Sequence, residues 1–121
     1  MGTEKLKILV VDDDDSIRGY VARLLSMSGF DAVTSANGRD ALNQIKANPD
    51  ISLVLLDILM PEMDGLETLI EIKKVAKDMP VIMLSALGQT NIIVKAMKSG
   101  ASDYLVKPFE EEELELAIAK S

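Results

Sequence analysis

An α/β domain built on a doubly wound parallel sheet is predicted by this sequence, and three observations predict it. Five short apolar runs alternate with five segments of helical periodicity. The segments between them are short and rich in Gly, Pro, Asn and Asp. At 121 residues the chain is long enough for one hydrophobic core and short for two, so residues 1–121 are expected to form a single domain. Alternation of strand and helix with short connections points to parallel strands, helices on both faces and right-handed crossovers.

The first strand is read over Leu6–Val11, an apolar run that meets Asp12-Asp13-Asp14-Asp15 directly. Ile17, Val21, Leu24 and Leu25 recur at i, i+4, i+7 and i+8, the spacing of a helix with one apolar face. Asp14 or Asp15 can cap its start, where acid is favourable, and Gly29 ends it. Asp31–Ala36 is a weaker strand. Asn37-Gly38 turns into a helix with Ala41, Leu42 and Ile45 inward, closed by Asn48-Pro49. Leu53–Asp57 is four apolar residues running into one carboxylate, as expected of a strand buried on both faces. Pro61, with Asp64-Gly65, closes that strand and turns the chain into a helix over Gly65 to Lys77, with Leu66, Leu69 and Ile70 on one face. Pro80–Ser85 is the fourth strand, since proline is tolerated as a first strand residue. Gln89–Ser99 is the fourth helix, ended by Gly100. Asp103–Lys107 is the fifth strand, broken at Lys107-Pro108. Glu110–Lys120 is the last helix, with Leu114, Ala117 and Ile118 inward.

For five such strands the common order is 2-1-3-4-5, the flavodoxin-like arrangement. That order makes strands one and three neighbours and brings Asp12 and Asp13 beside Asp57, although over forty residues separate them in sequence. Ser85 and Lys107 end strands four and five on the same edge. Ligands bind at the carboxyl ends of strands in open α/β sheets, so this edge is the place for chemistry. Three clustered carboxylates repel one another unless some are protonated or a cation neutralises them. Oxygen ligands without Cys or His, both absent here, suit Mg²⁺ or a similar hard cation. Asp57 could then act as a carboxylate nucleophile toward phosphorus. A metal ion, the Lys107 ammonium and the Ser85 hydroxyl would each take one phosphoryl oxygen. Singly, each of these residues reads as a helix cap, a strand terminator or a surface lysine; their coincidence on one edge favours the functional reading.

Composition bounds the alternatives. A net charge of −7 argues against direct nucleic-acid binding by this domain. No apolar run is long enough for a membrane span, and MGTEKLK has no apolar core for a signal peptide, so a cytoplasmic location and no membrane association are expected. An electron carrier of the same topology would need a phosphate-cradling loop after strand one, where four aspartates stand. An aspartate-nucleophile phosphatase typically has a second Asp two residues after the nucleophile, where this chain has Leu59.

Over nearly its whole length the chain resembles the receiver domain of two-component response regulators. The matching segments are ILVVDDDD (8–15), LVLLDILMPEMDG (53–65), PVIMLSA (80–86) and GASDYLVKPF (100–109). The resemblance implies a signalling switch and not an enzyme. Asp57 would accept a phosphoryl group from a phosphohistidine on a sensor histidine kinase or phosphotransfer protein. Mg²⁺ would be held by Asp12, Asp13, Asp57 and the backbone carbonyl of Leu59. Ser85 and Tyr104 would be the hydroxyl and aromatic switch residues, and Lys107-Pro108 would be cis. The output face would be helix 4, strand 5 and helix 5, where a homodimer or an effector domain would dock, with transcription as one output. Leu59 and Leu87 depart from the polar residues that relatives often carry at those places. Since leucines cannot place a hydrolytic water, a long-lived phosphorylated state is expected. The ending at Lys120-Ser121 fits a stand-alone receiver or one cut from a longer regulator, with a lean toward the latter.

Overall fold

The computed structural model describes residues 6–60 and 63–121. The turn expected at Pro61 and the reading of the first five residues lie outside them. Ten elements follow in strict alternation: β1 Lys7–Val11, α1 Asp15–Met27, β2 Asp31–Ser35, α2 Gly38–Ala47, β3 Ile51–Asp57, α3 Gly65–Val75, β4 Val81–Ser85, α4 Thr90–Lys98, β5 Asp103–Val106 and α5 Glu111–Lys120. The strands form one parallel sheet in the order β2-β1-β3-β4-β5, as expected from the sequence.

Side chains alternate across a strand, so in a sheet covered on both sides the central strands bury successive positions. Ile8, Val10, Leu53, Leu55, Ile82 and Leu84 point to one face, where α1 brings Val21, Leu24 and Leu25 and α5 brings Leu114, Ala117 and Ile118. Leu9, Val11, Val54, Leu56, Val81 and Met83 point to the other, covered by Ala41 and Ile45 of α2, Leu69 and Ile72 of α3 and Ala96 of α4. The runs read as doubly buried strands are buried on both faces because the helices divide two against three.

Most boundaries differ from the sequence reading by one or two residues. Leu6 is exposed and β1 starts at Lys7. β3 starts earlier, at Ile51, and the register against β1 shifts between Lys7 and Ile8, which leaves Ser52 exposed. α3 stops at Val75: the Lys73 ammonium donates to the Met79 carbonyl at 2.6 Å and fastens the turn beyond it. The inward stripe of α3 also differs. Gly65, Thr68, Leu69 and Ile72 are buried, whereas Ile70 is 40% exposed. Thr68 takes an inward place because its hydroxyl donates to the Asp64 carbonyl at 2.8 Å, so burial leaves no polar atom unpaired.

A close approach at Gly65 fixes how the chain leaves β3. A Cβ there would stand 2.2 Å from the Asp57 carbonyl oxygen and 2.6 Å from the Ile58 Cα, so only glycine fits. The Gly65 N–H donates to the Ile58 carbonyl at 2.8 Å, and Asp64 caps α3 by accepting from the Glu67 N–H at 2.9 Å. The start of α3 is therefore held against the backbone of Asp57 and Ile58.

Candidate functional site: an acidic pocket at the carboxyl edge of the sheet

Asp12 follows β1, Asp57 ends β3, Ser85 ends β4 and Lys107 follows β5. The parallel register carries all four to one edge. Asp12 is fully buried, and each of its polar atoms is held. Its N–H donates to the Ser35 carbonyl at 3.2 Å, and its carbonyl accepts from the Arg18 guanidinium at 2.8 Å. One carboxylate oxygen accepts from the Asp14 N–H at 2.9 Å and the other from the Lys107 ammonium at 3.0 Å. Asp14 is the cap of α1, accepting from the Ser16 and Ile17 N–H groups. Arg18 also pairs with Asp15, so one arginine ties the acidic turn to the first turn of α1.

Asp57 is buried, with 10% of its side chain exposed. Its Oδ1 accepts from the Lys107 ammonium at 2.9 Å, so a single lysine bridges Asp12 and Asp57. Lys107 is placed by its own backbone: its N–H donates to the Ser85 carbonyl at 2.7 Å, and the Lys107-Pro108 peptide that follows is cis. Asp13 is exposed, yet its carboxylate oxygen comes within 4.8 Å of those of Asp12 and Asp57. Three carboxylates this close suit a hard divalent cation, and neither Cys nor His is present to draw a softer one.

The electrostatics follow from crowding. Burial pushes the Asp57 carboxyl up to about 6; the Lys107 hydrogen bond and charge oppose this, while the Asp12 and Asp13 charges add to it. Burial is also the largest single influence on Lys107 and works to neutralise it. The hydrogen bonds and charges of Asp57 and Asp12 together outweigh burial and hold its ammonium above the ordinary lysine range. The site thus keeps a fixed cation beside a carboxylate that carries its own charge at a cost.

Asp12, Asp13, Asp57, Leu59, Lys107 and Ala86 line a cavity of about 280 Å³, and Gln89 also faces it. Ser85 lies beneath, fully buried, with its hydroxyl donating to the Leu105 carbonyl at 3.4 Å, a long and therefore weak bond. Tyr104 is 42% exposed and lines a separate groove of about 470 Å³ with Leu87, Val94 and Met97. Two residues missing from the sequence reading belong to this edge. One is Arg18, on the Asp12 carbonyl. The other is Gln89, whose side-chain carbonyl accepts from the Ala86 N–H at 2.6 Å. Both act on backbone atoms a few residues away, which no residue spacing announces.

Among the described residues no helix is long and apolar enough to cross a membrane. The chain is similar to several known proteins. The ycf27 protein of Cyanophora paradoxa, named a probable transcriptional regulator, is 44% identical over 118 residues, which are 98% of this chain and 48% of that protein. The CpxR homolog of Haemophilus influenzae, named a transcriptional regulatory protein, is 45% identical over 108 residues, 89% of this chain and 46% of that one. This chain therefore spans about half the length of these curated relatives. Among solved structures, the receiver domain of NtrX from Brucella abortus superposes with a TM-score of 0.90 at 39% identity, covering 93% of this chain and 95% of that one. The family model described as the response regulator receiver domain matches residues 8–119, which include every residue of the acidic pocket, and the chain belongs to that family.

Proposed function

We propose that this receiver domain is switched by phosphorylation of Asp57, with the phosphoryl group coming from a phosphohistidine on a sensor histidine kinase or phosphotransfer protein in the cytoplasm. The observation that carries the reading is a buried carboxylate clamped by one lysine inside a three-carboxylate cluster. In the transfer an Asp57 carboxylate oxygen bonds to phosphorus. The P–N bond of a donor imidazole protonated on its other nitrogen breaks, its electron pair stays on nitrogen, and neutral imidazole leaves. Lys107 stays protonated and compensates charge on the phosphoryl oxygens. Asp12, Asp13, Asp57 and the Leu59 carbonyl would hold Mg²⁺, which when bound supplies the neutralisation that the crowded carboxylates and phosphoryl oxygens need.

Ser85 is the group that responds. Its long bond to the Leu105 carbonyl is easily exchanged for a charged phosphoryl oxygen, and charge-assisted hydrogen bonds are roughly twice as strong as neutral ones. Tyr104, two positions from Val106 of the strand that Ser85 pairs with, then changes its place on the face of α4, β5 and α5. That face is the surface for a second copy or an effector domain, and transcription is the output suggested by the relatives' names.

The test is intact-protein mass after incubation with acetyl phosphate, with and without Mg²⁺. One phosphoryl adduct is expected on the wild type with Mg²⁺ and none on Asp57→Asn. An equal adduct on Asp57→Asn would refute the assignment of the acceptor. After donor removal the adduct should persist for minutes or longer, because the exposed Leu59 and Leu87 offer no group to orient water; decay within seconds would contradict that part.

A further inference from the structure

At the carboxyl end of β4 two donors stand close to the pocket, and both are engaged. The Ser85 hydroxyl is on the Leu105 carbonyl, and the Ala86 N–H is on the Gln89 side-chain carbonyl. The second bond is short at 2.6 Å and depends on a local turn. Gly88 has φ +88, a left-handed conformation that glycine adopts without strain, and it folds the chain so that Gln89 reaches back over Ala86. Gln89 is also the N-cap residue of α4, where its side chain makes no capping bond. The oxygen that could have faced the first turn of α4 is spent on the loop before it. Ala86 and Gln89 both line the pocket that holds Asp57.

We propose that Gln89 is a positioning residue that latches the resting form of this site. Its side-chain carbonyl occupies the Ala86 N–H, and a phosphoryl group on Asp57 can claim that N–H only when Gln89 lets go. The inference rests on the phosphoacceptor reading of Asp57. The direction of the exchange follows from charge: a phosphoryl oxygen is an ionised acceptor, the Gln89 carbonyl a neutral one, and the ionised acceptor makes the stronger bond. No covalent bond changes in this exchange; one acceptor replaces another on the same N–H. Its consequence reaches beyond the pocket. Releasing Gln89 frees the residue that begins α4, a helix with no side-chain cap and one buried residue, Ala96. The pocket is thereby linked to the α4 surface by a route separate from Ser85 and Tyr104.

The experiment compares wild type, Gln89→Met and Gln89→Glu in two measurements. Methionine keeps the length and removes the acceptor, whereas glutamate keeps an acceptor and makes it ionised. Gln89 is half-buried in a loop, so neither change threatens the fold. With acetyl phosphate and Mg²⁺, Gln89→Met should form the adduct about three to ten times faster than wild type, the worth of one ordinary hydrogen bond. Gln89→Glu should form it more slowly. In amide hydrogen exchange of the unphosphorylated protein, the Ala86 N–H should lose protection in Gln89→Met and keep it in Gln89→Glu. An adduct on the wild type with Gln89→Met no faster overturns the latch and leaves the phosphoacceptor reading standing. No adduct on wild-type Asp57 overturns both. Equal Ala86 exchange in wild type and Gln89→Met overturns the latch whatever the rates.

Discussion

α3 and α4 lie on the same face of the sheet and are fastened to it very differently. α3 has eleven residues, a cap bond from Asp64, and four buried residues, Gly65, Thr68, Leu69 and Ile72. α4 has nine residues, no side-chain cap, and one buried residue, Ala96, with Val94 and Met97 46% and 40% exposed. Both helices begin just after a strand end that borders the acidic pocket. Gly65, the first residue of α3, stands so close to the Asp57 carbonyl that only glycine fits there. The loop before α4 is held by the Gln89 latch and the left-handed Gly88, with Leu87 84% exposed. Under the proposed switching, the α3 side of the pocket is the support and the α4 side is the part that a single added charge rearranges. A switch needs both, since charge placed on a uniformly rigid site would be tolerated or rejected without moving anything.

The largest expected effect breaks the fixed side. Ile72→Ala should lower unfolding free energy by about 2–4 kcal/mol, because a fully buried side chain is removed and a cavity remains. Met97→Ala on α4 should stay within about 0.5 kcal/mol, as at other exposed positions. Urea denaturation of the two variants measures both; equal losses would erase the contrast between the helices.

A smaller effect sharpens it from the pocket. Asp57 is charged at a cost, since burial raises its carboxyl pKa to about 6 from an ordinary 3.8. A raised carboxyl pKa favours the protonated form in the folded state. The penalty is therefore absent below pH 3.8, develops as pH rises toward 6, and is complete above it. Metal-free Asp57→Asn should be more stable than wild type by about 1–2 kcal/mol at pH 7.5, allowing for partial solvent screening, and the advantage should shrink as pH falls from 6 to 4. Denaturation at several pH values with a chelator present checks this. An Asn variant less stable than wild type at pH 7.5 would mean that the Lys107 bond outweighs the crowding.

How much of this was legible in the sequence differs by residue. The strands were legible because doubly buried runs such as Leu53–Leu56 are uninterrupted and end in carboxylates, and the pocket followed once strands one and three were placed side by side. The inward stripe of α3 was misread at Ile70 because an isoleucine reads as core and a threonine does not. Thr68 holds an inward place because its hydroxyl pairs with the Asp64 carbonyl of its own cap, and Ile72, one turn on, is buried in the core. Arg18 and Gln89 were not legible: each is a polar side chain that sequence alone assigns to solvent, and its target is a backbone atom placed by the fold. The direction of the Ser85 hydroxyl was hidden for the same reason, since a neighbouring strand's carbonyl sets it.

Amide hydrogen exchange across the whole domain, before and after phosphorylation of Asp57 in Mg²⁺, distinguishes the two sides of the pocket. Changes should concentrate in residues 86–106, covering the Gln89 loop, α4 and β5, while α3 keeps its protection. Changes as large in α3 as in α4, or none outside the pocket, would contradict a light side that moves against a fixed one.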